Sequence, residues 1–258
     1  QLTKISFDGT GWAYMQPLSQ CEDAKLSIQF STQQSNGLLL YTGPMHDTTD
    51  SDMRDYLAVT IQNGYPVLRA NIGDGEMTLT ITGLNVRGQR SLAAMNDGDW
   101  HTVEIFKEGK MLSLVADHCS VSEVTETIDE SSEDRSACSA VGTFNGEHIM
   151  FNMHTPLELG GRSIPNVNYP SGIPSAGFNG CLKDLIYNGQ VYDMKLVNRT
   201  HFQGATEGCA REDCSACPVN SVCHGNIHGN SAPQCICIDG YRGDACDIEV
   251  TTIDALDE

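Results

Sequence analysis

Positive charge is scarce in this sequence: 15 Lys and Arg stand against 34 Asp and Glu, a formal net charge of −19. Phosphate backbones, heparin-like sulfated glycans and anionic lipid surfaces all require a basic face, so nucleic-acid, heparin and direct membrane binding are disfavoured. Long apolar runs are missing too, and none approaches the roughly 20 residues of a membrane-spanning helix. No charged-then-apolar leader opens the chain, so Gln1 is expected to be a processed start. No Gly-x-Ser-x-Gly elbow or His-Glu-x-x-His pair occurs, and the 8 His stand beside no recognisable nucleophile, so an enzyme is not expected. Aromatic residues make up only 7%, yet hydrophobic residues at 40% suffice for a core and argue against wholesale disorder.

Cysteine, by contrast, is abundant, with 11 residues. Cys21, Cys119, Cys138, Cys181 and Cys209 are spread thinly, whereas Cys214, Cys217, Cys223, Cys235, Cys237 and Cys246 crowd the end of the chain. A sparse region followed by a dense one reads as a core-stabilised domain joined to a small stapled one, in an oxidising compartment. Asn198-Arg199-Thr200 is an N-glycosylation triplet, in weak agreement with secretion. Zinc is the competing reading, because Cys214-x-x-Cys217, Cys235-x-Cys237, His224 and His228 offer ligand types. Six clustered cysteines would leave two thiols over in acidic surroundings, so disulfides are the preferred reading.

Before the dense cluster, apolar residues alternate with polar ones. Leu26, Ile28 and Phe30 form one such set; Met77, Leu79 and Ile81, Val103 and Ile105, and Leu112 and Leu114 form others. Period two places each set on one face of a half-buried antiparallel strand. Leu38-Leu39-Leu40-Tyr41 and Tyr56-Leu57-Ala58-Val59 read as strands buried on both faces. Asn36-Gly37, Asn63-Gly64, Asp97-Gly98, Asn145-Gly146 and Asn188-Gly189 read as turns. The expected fold class is all-β, a two-sheet sandwich with a β-barrel as the alternative.

These residues carry a family resemblance. The Leu38–Tyr41, Asp55–Val59 and Asn63-Gly64 series, Asp97-Gly98-Asp99-Trp100-His101-Thr102-Val103, Leu159-Gly160-Gly161 and Gly177-Phe178-Asn179-Gly180-Cys181-Leu182-Lys183-Asp184-Leu185 follow in the order of a laminin G-like (LG) domain. The resemblance implies a jelly-roll sandwich over residues 1–209 whose last disulfide joins Cys181 to Cys209. The closing cysteines, with 2, 5, 11, 1 and 8 residues between them and Gly240-Tyr241-Arg242-Gly243 before Cys246, resemble an EGF-like module over 210–248. Its implied pairing is Cys214–Cys223, Cys217–Cys235 and Cys237–Cys246, one of 15 connectivities that sequence alone allows. Arg211-Glu212-Asp213 departs from the calcium-binding EGF pattern, so no calcium is expected there. Residues 249–258 read as an acidic linker or tail.

A narrower resemblance, to the LG domain of non-chordate (type III) cadherins, lies in Gly9-Thr10-Gly11-Trp12-Ala13-Tyr14, Pro17-Leu18, Cys21 and Tyr41-Thr42-Gly43-Pro44. It extends to Val115-Ala116-Asp117-His118-Cys119 and Ser136-Ala137-Cys138. It implies a cell-surface adhesion receptor that crosses the membrane once outside this stretch. The stretch itself is expected to act as spacer and tether, contacting neighbouring cadherin and EGF modules and other proteins. A ligand-binding LG–EGF module, as in the neurexin, agrin and Slit families, is the alternative, with a neutral-glycan lectin behind it.

Several residues carry specific expectations. Cys119 and Cys138 are expected to pair, closing a loop that holds Glu123, Glu126, Asp129, Glu130, Glu133 and Asp134; chain-entropy reasoning gives such a closure about 3 kcal/mol. A solvated excursion is the preferred reading of that loop over an acidic docking face. Asn71 and Asp74 are the calcium candidates of the LG region, although Asn71 stands where a carboxylate is usual and a tight turn is preferred. Trp100 is expected to be a core anchor and His101 a packed or capping neighbour. Cys21 is left without an assigned partner.

Overall fold

The computed structural model describes residues 4–19, 21–44, 55–85, 87–119, 135–164, 169–196, 201–209, 217–224, 234–238 and 240–250. Six strands come first: β1 (Lys4–Met15), β2 (Ala24–Thr32), β3 (Gly37–Thr42), β4 (Tyr56–Gln62), β5 (Tyr65–Asn71) and β6 (Glu76–Thr80). Then follow β7 (His101–Glu108), β8 (Met111–Ala116), a short α1 (Arg135–Cys138), β9 (Ser139–Thr143), β10 (Leu157–Leu159), β11 (Asn179–Tyr187), β12 (Gln190–Val191) and β13 (Phe202–Glu207). Their hydrogen-bonded order is β6-β5-β4-β3-β10-β1-β11-β2-β7-β8-β9, with β12 on β11 and β13 on β1. This is an all-β jelly-roll sandwich.

The long first strand belongs to both layers. Lys4–Asp8 pair with β11, whereas Ala13–Met15 pair with β10, and β13 runs along the other edge of β1. The switch between layers falls at Gly9-Thr10-Gly11. A Cβ on Gly11 would collide with the Gly204 backbone, so a side chain there would push β13 off. On either side of this corner the sheets face one another. Ile28, Phe30, Val103, Ile105, Leu112, Leu114 and Leu182 from one layer meet Leu40, Leu57, Val59, Leu68 and Leu159 from the other, all buried. Each such side chain stabilises the fold by about 1.5–3 kcal/mol on burial.

The Leu38–Tyr41 run lacks alternation for two reasons. A register shift between Leu38 and Leu40 turns both Leu39 and Leu40 into the main core. Leu38 and Tyr41, on the outer face with Tyr56 and Ala58, are covered in turn by Tyr169 and Ile173. The turn dipeptides divide as well. Asn63-Gly64 and Asn188-Gly189 have the paired positive φ values of tight hairpins (51° and 83°, 49° and 78°). Asn36-Gly37 is no such turn. Gly37 opens β3, and a Cβ there would stand 3.0 Å from Phe178 Cα, so this glycine serves close approach.

The closing part is built differently. β14 (Ser221–His224) pairs with β15 (Gln234–Cys237), and β16 (Tyr241–Arg242) with β17 (Ile248–Glu249). Cys217–Cys235 and Cys237–Cys246 brace them. Ile236, Ile238, Ile248 and Val250 remain 40–49% exposed, so no apolar core forms among them. The Val250 N–H reaches the Gly240 carbonyl at 2.8 Å and so ties the end of the second hairpin back to its start.

Candidate functional site

Among the described residues, a group of ionisable side chains converges where β7 begins and β8 ends. Asp97-Gly98 turns the chain into β7, bringing Asp97 beside His101, while the end of β8 delivers Asp117 to the other side of the ring. His101 Nε2 stands 2.9 Å from Asp97 Oδ1, and Nδ1 stands 2.8 Å from Asp117 Oδ2. The second oxygen of Asp117 accepts the Thr102 N–H at 2.8 Å. One residue on, His118 Nδ1 meets Glu104 Oε2 at 2.7 Å, and Lys25 Nζ lies 3.5 Å from the other Glu104 oxygen.

Asp117, His118 and Cys119 all have positive φ (46°, 55° and 46°). Three successive left-handed residues without glycine persist only where surrounding contacts over-determine them. Here the two His–carboxylate pairs and the Cys119–Cys138 disulfide do so. Burial works to lower the His101 pKa, but the bonds to Asp117 and Asp97 outweigh it and the net shift is upward. Both ring nitrogens face carboxylates, so His101 offers no free lone pair to a substrate proton, and its role is to clamp the turn. Of the packed or capping neighbour expected from sequence, the structure shows the one bonded to its turns.

Trp100 is corrected more plainly. It is not in the core but partly exposed, with Lys183 Nζ 4.1 Å and Lys4 Nζ 5.8 Å from its ring centroid. The Asp-Gly turn just before it leaves the indole outside the sandwich, where the two ammonium groups lie over its face.

The calcium candidates are engaged otherwise. Asn71 Oδ1 accepts the Gly73 N–H at 2.7 Å and the Gly75 N–H at 3.3 Å, closing an Asx turn. Asp74 takes the His148 backbone N–H on one oxygen and His148 Nδ1 on the other, each at 2.8 Å. These bonds, the backbone one foremost, hold the Asp74 carboxyl below its usual range. A hard dication would have to compete with these bonds for the same oxygens. Among the described residues, no three His, Cys, Asp or Glu side chains converge as a metal site.

Cysteine chemistry is largely covalent here. Cys119 is joined to Cys138, Cys181 to Cys209, Cys217 to Cys235 and Cys237 to Cys246, which removes Cys217, Cys235, Cys237 and Cys246 from any zinc site. Cys214, the Cys223 side chain, Asn198 and the acidic residues Glu123–Asp134 lie outside what is described. Cys21 is a free, partly exposed thiol that accepts the Asn188 amide N–H at 3.3 Å.

Among the described residues, Lys107 and Glu158 are the most deeply buried charged side chains, and the sequence reading places neither. Lys107 is 1% exposed, its ammonium donating to the carbonyls of Glu22, Gly109 and Ile149 beside the Phe151 ring. Desolvation lowers its pKa. Its odd-numbered position, in step with Val103 and Ile105, was the available signal that it points inward. Glu158 is fully buried on the outer face of β10, accepting the Ser163 N–H at 2.8 Å and the Tyr169 hydroxyl at 3.1 Å. Burial raises its pKa. Its cover comes from a distant loop that no local pattern announces.

The laminin G domain model matches residues 30–190. Neural-cadherin of Drosophila melanogaster is 29% identical over 96% of this chain, and Cadherin-related hmr-1 of Caenorhabditis elegans is 30% identical over 96%. The chain spans only 8% of the length of each. Among solved structures, the LG1-3 region of the laminin alpha2 chain superposes with a TM-score of 0.59 at 19% identity, covering 81% of this chain and 35% of that one. With a family model matching more than half of its residues and the sandwich it requires, this chain belongs to the laminin G domain family.

Proposed function

We propose that this chain is a non-enzymatic, extracellular part of a cadherin-type cell–cell adhesion receptor. Residues 1–209 are its LG domain, 210–248 an EGF-like module and 249–258 an acidic linker; Asn198 is the glycan acceptor. The observation that carries this reading is the extent of the similarity to Neural-cadherin and Cadherin-related hmr-1. It covers 96% of the chain, and so runs beyond residues 30–190 into the cysteine cluster. The work of the stretch is that of a spacer and tether that makes protein contacts. An apolar sandwich followed by cystine-braced hairpins resists extension where a polar linker would not. The carboxylates that clamp His101 and the closed Asn71 turn support structural roles for the residues that most resemble a site.

Single-molecule extension of the 258 residues tests the spacer role. The expected record is a high-force unfolding event for the sandwich, unchanged by calcium or a chelator. Extension at linker-like forces would contradict it. Tight capture of a soluble protein by the isolated chain would favour the ligand-binding alternative.

A further inference from the structure

We propose that a cavity where β2 begins and β7 ends is a receptor for the guanidinium of an arginine on a partner protein. The cavity measures about 410 Å³, opens to solvent, and has Asp23, Lys25, Phe106, Glu108 and Asn188 in its walls. That volume lies in the range of small-ligand sites, roughly 300–1,000 Å³. The strand register builds it. Ala24 pairs with Lys107 and Lys25 with Phe106. Asn188, at the turn from β11 to β12, clasps Lys25 from the other side. Its N–H donates to the Lys25 carbonyl and its Oδ1 accepts the Lys25 N–H, each at 2.8 Å. Asp23 Oδ1 accepts the Gly109 N–H at 2.9 Å, which holds the approach to β2 against the β7–β8 turn.

What each charged wall has left to offer selects the ligand. Lys107 also lines the cavity, but its three N–H groups go to the carbonyls of Glu22, Gly109 and Ile149, so none remains for an anion. Lys25 Nζ stands 3.5 Å from Glu104 and 4.9 Å from the Phe106 ring centroid, so its charge is met as well. The acids are the reverse. Asp23 has a second oxygen and the exposed Glu108 has two, and among the described residues nothing bonds them. Open acceptors beside spent donors, in a chain of net charge −19, favour a cation.

The rest of the lining says which cation. Phe106 already carries the Lys25 ammonium near its face, so its ring is a wall that positive charge can approach. Phe106 and Ala24 suit a hydrocarbon stem and give a hydrated metal ion nothing to coordinate. Acceptors on two separate side chains call for a planar fork of N–H groups rather than a point charge, which selects arginine over lysine. The inference needs only the sandwich and stands apart from the spacer role.

The test titrates the full chain with the peptide acetyl-Gly-Arg-Gly-amide and follows backbone amide and Asn188 side-chain NMR signals. Saturable shifts at Asp23, Lys25, Glu108 and Asn188 are expected, with a Kd of about millimolar. The same peptide with citrulline, which keeps the shape and loses the charge, is expected to bind about tenfold more weakly. Glu108→Gln preserves size at an exposed position and is expected to weaken binding about fivefold. Glu249→Gln removes an equal charge from the closing hairpins and is expected to leave binding unchanged. Amide signals away from residue 108 that match the parent show that the fold is kept. Absence of saturable shifts, equal binding of the citrulline peptide, or equal losses in the two variants would overturn the proposal. So would tighter binding of free methylguanidine than of the peptide, since the cavity would then serve a small cation.

Discussion

The sandwich and the closing hairpins solve the same problem by different means. In the sandwich, Phe30, Ile28, Leu40 and Leu159 are fully buried, and the two disulfides add to a core that is already closed. In the hairpins, Ile236, Ile248 and Val250 remain exposed over two-fifths or more of their surface, and Cys217–Cys235 and Cys237–Cys246 do the bracing. A small domain cannot bury enough surface to offset its ordering entropy, so covalent links replace the core. Core truncations should therefore damage one region and cystine removal the other.

The largest expected effect is in the sandwich. Phe30→Ala, at a site packed against Phe178 with ring centroids 6.5 Å apart, is expected to cost about 3–5 kcal/mol in chemical denaturation. Ile236→Ala in the hairpins is expected to change stability by less than about 0.5 kcal/mol. Comparable losses at the two sites would erase the contrast.

Next comes the covalent side. Replacing Cys217 and Cys235 together by Ser is expected to destabilise the hairpins by about 2–4 kcal/mol and leave the denaturation midpoint of the sandwich in place. Backbone NMR shifts of β14 to β17, read beside those of β2 and β7, report both at once.

A smaller effect probes the clamp that joins β7 to the Cys119 turn. Because the folded His101 pKa is raised, its stabilisation is complete below the unfolded value of about 6.5 and is lost as pH rises through the folded one. The melting temperature of the parent is expected to exceed that of His101→Gln at mildly acidic pH, with the gap narrowing through neutrality. A gap that widens with pH would assign the ring a neutral, packing role.

The smallest expected effect is none at all. With Asn71 closing its turn and Asp74 held by His148, calcium up to about millimolar is expected to leave the melting temperature unchanged. A saturable rise in the melting temperature that Asp74→Asn abolishes would return that loop to the metal sites.

Much of the sandwich was legible because one-sided burial writes itself as alternation. Leu26, Ile28 and Phe30 all point into the core from β2, and Leu112 and Leu114 do so from β8. Alternation goes silent where a strand is buried on both faces. The outer cover of Tyr41 and Glu158 arrives with Tyr169, far along the chain, and only the fold brings them together. Trp100 misled because large aromatics are usually anchors, whereas here two lysines hold the indole at the surface. Asn36-Gly37 misled because glycine answers two different needs, positive φ and close approach, that a dipeptide does not distinguish.

The contrast between the two regions is tested most directly by hydrogen exchange of the whole chain before and after complete reduction of its disulfides. The account predicts that residues 217–250 lose protection on reduction while β2, β7 and β11 keep theirs. Collapse of protection in β2 and β7, or its survival in residues 217–250, would contradict it.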